Sequence, residues 1–255
     1  MGYSFNFKQS LLKRNRNYRL LYCGQFVSFI GSMITSVALP YQIYHETKST
    51  LMVGLLSFSQ LLPLLFTALI GGVFADRYHR RRLLLIAESS LAMGCLLLAL
   101  NAIAVVTHIW AIFVIAVAMS AVTGLHRPAL SSMVQQIVAK EDFPTESRLS
   151  TFTYSTCMIL GPAIGGLIIA HFGLVTTFIV DFMTFLVSLF ALLRISHIPK
   201  PPVVEEVSTW FSLKQGIQYA ISRQELLGTY FVDFVAMIFG MPMALFPAIA
   251  EFHGG

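Results

Sequence analysis

Three carboxylates, Glu88, Asp181 and Asp233, sit inside runs of apolar residues long enough to lie in a bilayer. A charge at mid-membrane costs at least about 2.5–3.5 kcal/mol on insertion scales, so each is a candidate proton or substrate site. Glu88 comes only five residues into its run and either reaches the arginines before it or carries a proton. Asp181 lies about two turns into its helix; it either caps or pairs locally or serves substrate and proton. Asp233 is comparable. Gln25 in the first run either offers an uncharged hydrogen bond to a substrate or bridges two helices.

Two further clusters are defined by glycine. The stretch Gly71-Gly72-Val73-Phe74-Ala75-Asp76-Arg77-Tyr78-His79-Arg80-Arg81-Arg82 lies between two apolar runs. A carboxylate and four arginines cannot rest in hydrocarbon, so this segment must be a water-facing link between two helices. Gly72 lets the helices approach closely, and Asp76 can accept from a helix N-terminus or pair with an arginine. Such contacts latch one side of a bundle; the alternative for Arg81 and Arg82 is anchorage to lipid phosphates. In Gly161-Pro162-Ala163-Ile164-Gly165-Gly166 the small residues let backbones touch and the proline loosens the helical ladder. A bend serves a rocking motion, and tight packing is the competing explanation.

The elements that must position these residues are membrane-spanning helices. The chain is 56% hydrophobic and 11% charged, with a mean hydropathy of +0.74, whereas soluble domains carry about 25% charge. Runs of about 20 apolar residues predict seven spans: Leu20–Tyr41, Val53–Phe74, Leu83–Val105, Trp110–Ala129, Thr151–His171, Val175–Ile195 and Leu226–Ala248. The runs are continuously apolar and not alternating, which selects helices over a membrane barrel. The first is too long for a signal-peptide core and is followed by other spans, so it reads as an uncleaved helix. Of the 17 Lys and Arg, all but Lys48 fall on one side of this arrangement, which puts the N-terminus in the cytoplasm by the positive-inside rule.

The expected organisation is an all-α membrane protein: a six-helix bundle over residues 1–195, a cytoplasmic linker over 196–225 and the first helix of a second bundle over 226–255. The linker opens with Pro199, Pro201, Pro202, Glu205 and Glu206. Beyond it Trp210, Leu213, Ile217 and Ile221 share one helical face, which suits an interfacial helix or packing against the bundle.

The Gly71–Arg82 link, on Gly72, Asp76, Arg77, Arg80, Arg81 and Arg82, resembles the signature loop of the major facilitator superfamily, with His79 where a glycine is usual. The glycine-proline run resembles that superfamily's exporter signature, with Cys157 at a position often held by glycine. Gly24-Gln25 with Ser28 and Gly31, Arg127-Pro128-Ala129, Val180-Asp181-Phe182 and Thr184-Phe185-Leu186 are similar to the branch of macrolide-efflux and siderophore-export transporters. The resemblance covers nearly the whole chain as an N-terminal half. It implies a secondary transporter in a bacterial inner membrane, exporting small amphipathic molecules such as drugs or siderophores by alternating access, with the proton as coupling ion. The fourth span lacks the mid-helix arginine that many proton-coupled exporters carry. A complete member has about twelve spans in two halves, so the expectation is a truncated or split chain. It would transport with a partner supplying the second half, or be a non-transporting remnant or modulator of a complete transporter.

Other classes are disfavoured. The net charge of +5 is not gathered on one aromatic-interleaved face, which argues against nucleic acid. Cys23, Cys95 and Cys157 have no metal-ligand spacing and read as packing residues, and no histidines pair at i, i+4. Neither a metal nor a cofactor is expected. The sequence holds no nucleophile elbow, phosphate loop or zinc-protease motif, so no enzyme is indicated.

Overall fold

In the computed structural model, residues 11–77, 79–104 and 106–195 are described, with isolated positions 222, 223, 228, 229, 232 and 235; of 72–77 only the backbone is described. Apart from those isolated positions, the expected linker, interfacial helix and seventh span, with Asp233, lie outside the described residues.

A short helix α1 (Leu11–Arg14) leads into α2 (Arg16–Thr47), α3 (Thr50–Arg77), α4 (Arg80–Ile103) and α5 (Ile109–Ile137). A 3-10 turn at Lys140–Asp142 then opens α6 (Phe143–Arg194). Five of these helices are long and apolar enough to cross a membrane. The 52 residues of α6 would run about 78 Å if straight, far beyond a hydrocarbon core of about 30 Å. Its backbone leaves helical geometry at Gly173, where φ is 78° and ψ is 177°. This conformation is open almost only to glycine, and it divides α6 into two arms.

The contacts show that the chain reverses there. On the first arm Thr153 meets Tyr22, Cys157 meets Phe26 and Gly165 meets Ile34, so this arm runs parallel to α2. On the second arm Asp181 meets Thr35 while Ser188 meets Gln25 and Gly24, so this arm runs antiparallel to α2. The same logic sets α4 antiparallel to the second arm, through Cys95–Asp181 and Arg81–Leu192. It sets α4 antiparallel to α5, through Arg80–Ser132 and Asn101–His108, and α3 parallel to α5. Six alternating rods result, matching the first six spans read from the sequence.

α2 and α6 pack chiefly on each other, as do α3 and α5, and α4 packs against both α6 and α5. One end of the bundle is closed by Leu21, Leu84, Ala129, Met133, Leu192 and Ile195. The other is closed by Ala38, Ile43, Val53, Leu98, Ile112 and Phe178. Large apolar side chains such as Phe58, Leu62 and Phe66 remain exposed along α3, as a lipid-facing surface requires.

Helices extend past the apolar runs at the basic end. Asn15 caps α2 by accepting from Tyr18 N at 3.0 Å, and it donates to the Ile137 carbonyl at 2.8 Å. Arg14 pairs with Asp142. The segment expected to be a glycine-bearing turn is mostly helix: α3 continues through Arg77, and His79 precedes α4 at φ −61° and ψ 107°. An extended residue at negative φ needs no glycine, which accounts for histidine at that position.

Candidate functional site: a buried polar column

Polar residues recur at helical spacing on three helices and meet in the bundle interior. Gln25, Ser28, Gly31 and Thr35 lie along one face of α2; Asp181, Thr184 and Ser188 along one face of the second arm of α6; Glu88 and Cys95 along α4. Thr35, Ser28 and Ser188 are buried, and Glu88 and Asp181 are fully so. The spacing from Glu88 to Cys95 separates the two carboxylates by about 10 Å along the bundle.

Asp181 is held by three helices. Its Oδ2 accepts from the Thr35 hydroxyl at 2.5 Å and from Cys95 Sγ at 3.2 Å. The Thr184 hydroxyl lies 2.7 Å from the Asp181 carbonyl and 3.1 Å from Oδ1, sharing one hydrogen between them. Gly31 makes room for this cluster, because a Cβ there would overlap Asp181 Oδ1 and the Thr184 side chain. As an ionised group Asp181 can only accept, and both of its oxygens face donors.

Glu88 is held differently. Gln25 Nε2 donates to its Oε1 at 2.7 Å and also approaches Ser188 Oγ at 3.1 Å. His126 Nε2, from α5, lies 3.0 Å from the same Oε1. Oε2 is buried with no hydrogen-bond partner among the described residues. When Glu88 is ionised its Oε1 accepts only, so Nε2 of His126 must carry the hydrogen. An uncompensated buried polar oxygen costs about 1–3 kcal/mol. Glu88 thus approaches His126 and Gln25, while Arg80 and Arg81 reach other partners. Arg81 donates to the Leu192 and Leu193 carbonyls at 3.1 and 2.8 Å, and Arg80 to the Ser132 carbonyl at 3.1 Å. The C-terminal carbonyls of a helix lack intrahelical partners and carry partial negative charge, so a guanidinium is well placed there.

Gln25, Glu88 and Asp181 are therefore brought into one column. The side chains of Asp76 and Arg77 are not described. Gly161 and Gly165 seat the first arm of α6 on Met33 and Ile34 of α2, whereas a Cβ on Gly166 would meet nothing within 4 Å. The helix keeps helical dihedrals through Pro162. Sequence reasoning missed Thr35, Cys95, Thr184, Ser188 and His126. The first four were visible as a polar stripe at helical spacing; His126 carried no signal beyond being a histidine inside a long apolar helix.

The fold is thus a multi-pass helical bundle of alternating rods with ionisable groups buried in its interior. The family profile described as transmembrane secretion effector matches residues 12–253, and the chain belongs to that major facilitator family. Family membership places it among transport proteins and not enzymes. It is 28% identical over 243 residues to the enterobactin exporter EntS of Shigella boydii serotype 18, covering 95% of this chain and 58% of that protein. The enterobactin exporter EntS of Escherichia coli O1:K1 is 27% identical over the same coverage. The chain thus spans a little over half the length of these relatives.

Proposed function

We infer that the chain forms the first half of a secondary exporter that moves small amphipathic molecules, drugs or siderophores, out of the cell across a bacterial inner membrane. The observation that carries this reading is the pair of fully buried carboxylates, Glu88 and Asp181, in a bundle of the transmembrane secretion effector family. An intramembrane carboxylate is retained against an insertion cost and marks an ion or substrate path by default. The names of the relatives favour a siderophore of the enterobactin kind.

Alternating access needs a second bundle facing this one, on the same chain or on a partner polypeptide, so that substrate is enclosed from each side in turn. Proton binding within the buried polar column favours one orientation and substrate the other. The basic end is cytoplasmic, following the positive-inside rule. Asp76 and Arg77 act with Gly72, Arg80 and Arg81 as the cytoplasmic latch; the ties of Arg80 and Arg81 to α5 and α6 support this role. The Gly161–Gly166 segment serves as the point at which the first arm of α6 flexes against α2, and Asp233 adds a carboxylate to the path from the second bundle.

The test is export of enterobactin from cells lacking their own exporter and expressing the full-length protein. Asp76→Asn should lower export while membrane levels hold. Unchanged export would sink the latch, and no export by the unaltered protein would sink the reading.

A further inference from the structure

Glu88 and Asp181 are both buried carboxylates, but their surroundings assign them different tasks. Asp181 is saturated by Thr35, Cys95 and Thr184 from three helices. Those groups are hydroxyls and a thiol, which donate hydrogen bonds to the carboxylate. Glu88 has one oxygen shared by Gln25 and His126 and another with no partner among the described residues. His126 presents a ring nitrogen that can donate or accept a hydrogen at that shared oxygen, 3.0 Å away.

The location adds a second argument. α3 and α5 form one tightly packed pair, α2 and α6 another, and α4 is the main contact between them. Glu88 stands on α4, with Gln25 of α2 and Ser188 of α6 on one side and His126 of α5 on the other. The His126–Glu88 contact therefore crosses the seam between α4 and the α3–α5 pair. The charged and titratable groups around it are few. On α5 the neighbour is exposed Arg127; on α6 it is Asp181; on α4 they are Cys95 and Arg81, the latter engaged with α6 carbonyls. On α2 the facing residue is neutral Gln25, with Arg19 and Cys23 exposed.

We propose that Glu88 and His126 together form the coupling-proton site of this transporter, binding one shared proton across the α4–α5 seam, while Asp181 is a fixed tie among α2, α4 and α6. This deepens the export reading and rests on it for the word coupling. With neutral His126 and ionised Glu88 the pair carries one negative charge. A proton entering from one aqueous face neutralises it as an imidazolium–carboxylate or imidazole–carboxyl pair, and leaves to the other face when the bundle changes orientation. No electrons move. The charge of the pair sets how strongly α5 is held to α4, so proton occupancy biases the position of the α3–α5 pair.

The experiment is infrared difference spectroscopy on the full-length chain reconstituted in lipid, stepping between about pH 8 and about pH 5, with the proton as the only probe. The wild-type difference spectrum should contain carboxyl and imidazole bands that are lost together in Glu88→Gln and in His126→Gln, because one proton is shared. Asp181→Asn should keep them. The proposal is overturned if His126→Gln or Glu88→Gln leaves the wild-type bands in place, or if Asp181→Asn removes them. Should Glu88→Gln fail to fold, His126→Gln still decides the matter. The spectrum is recorded without substrate, so absence of export with the bands intact would count against the export reading alone.

Discussion

Asp181 is accommodated in the bundle by neutral donors and not by a counter-charge, and that makes the donors consequential. Thr35→Val removes the shortest of its hydrogen bonds and should lower stability by about 1–3 kcal/mol, read as a fall in the midpoint of thermal unfolding in detergent. Ser36→Ala, one residue away and bonded only to the Met33 carbonyl on the exposed side, should change it by less than about 0.5 kcal/mol. Equal effects would mean that the cluster is not the tie described. Gly31→Ala places a methyl group against Asp181 Oδ1 and Thr184 and should cost about 1–3 kcal/mol by overpacking, whereas Gly166→Ala has open space before it and should be neutral. The sequence exposed the carboxylates because they interrupt apolar runs. It did not reveal which partners they find, since Thr35, Cys95 and His126 come from three other helices whose rotation no single run determines.

Helix α6 shows what an apolar run does and does not specify. The two spans on either side of Gly173 were legible because each is about the length of a bilayer crossing, and the reversal between them needs only one residue. Gly173→Val should force a side chain into φ 78°, at a cost of order 1–3 kcal/mol, and reduce the folded fraction seen by size-exclusion chromatography. Folded yield equal to wild type would show that the turn relaxes without strain. The ends of α2, α5 and α6 were not legible: helical hydrogen bonding continues past the last apolar residue, and caps such as Asn15 to the Ile137 carbonyl depend on where another helix ends. Arg81 makes the same point. Its sequence position suits a lipid anchor, yet its guanidinium joins the start of α4 to the end of α6. Arg81→Met should loosen that junction and speed proteolysis near residue 194 in membranes; unchanged digestion would remove the latch role from Arg81.

The bundle gathers its described basic residues at one end. Among the described residues Lys48 is the only Lys or Arg at the opposite end from Arg14, Arg80, Arg81 and Arg194. A cysteine at Ser49 should therefore react with a membrane-impermeant reagent added to intact cells, and one at Lys13 only after permeabilisation; the reverse pattern would invert the orientation. The architecture was readable from the spacing of the apolar runs, because a bilayer allows few solutions to a chain this apolar, and the family from the resemblance of the Gly71–Arg82 and Gly161–Gly166 motifs. The proposed Glu88–His126 proton site was not, because it depends on a contact between helices α4 and α5 that only packing creates. The most direct measurement is enterobactin movement in inverted membrane vesicles carrying the full-length protein, driven by an imposed pH gradient, for wild type and Glu88→Gln. The account predicts uptake into wild-type vesicles that collapses when a protonophore removes the gradient, and little gradient-driven uptake with Glu88→Gln. Uptake indifferent to both the protonophore and the substitution would contradict it.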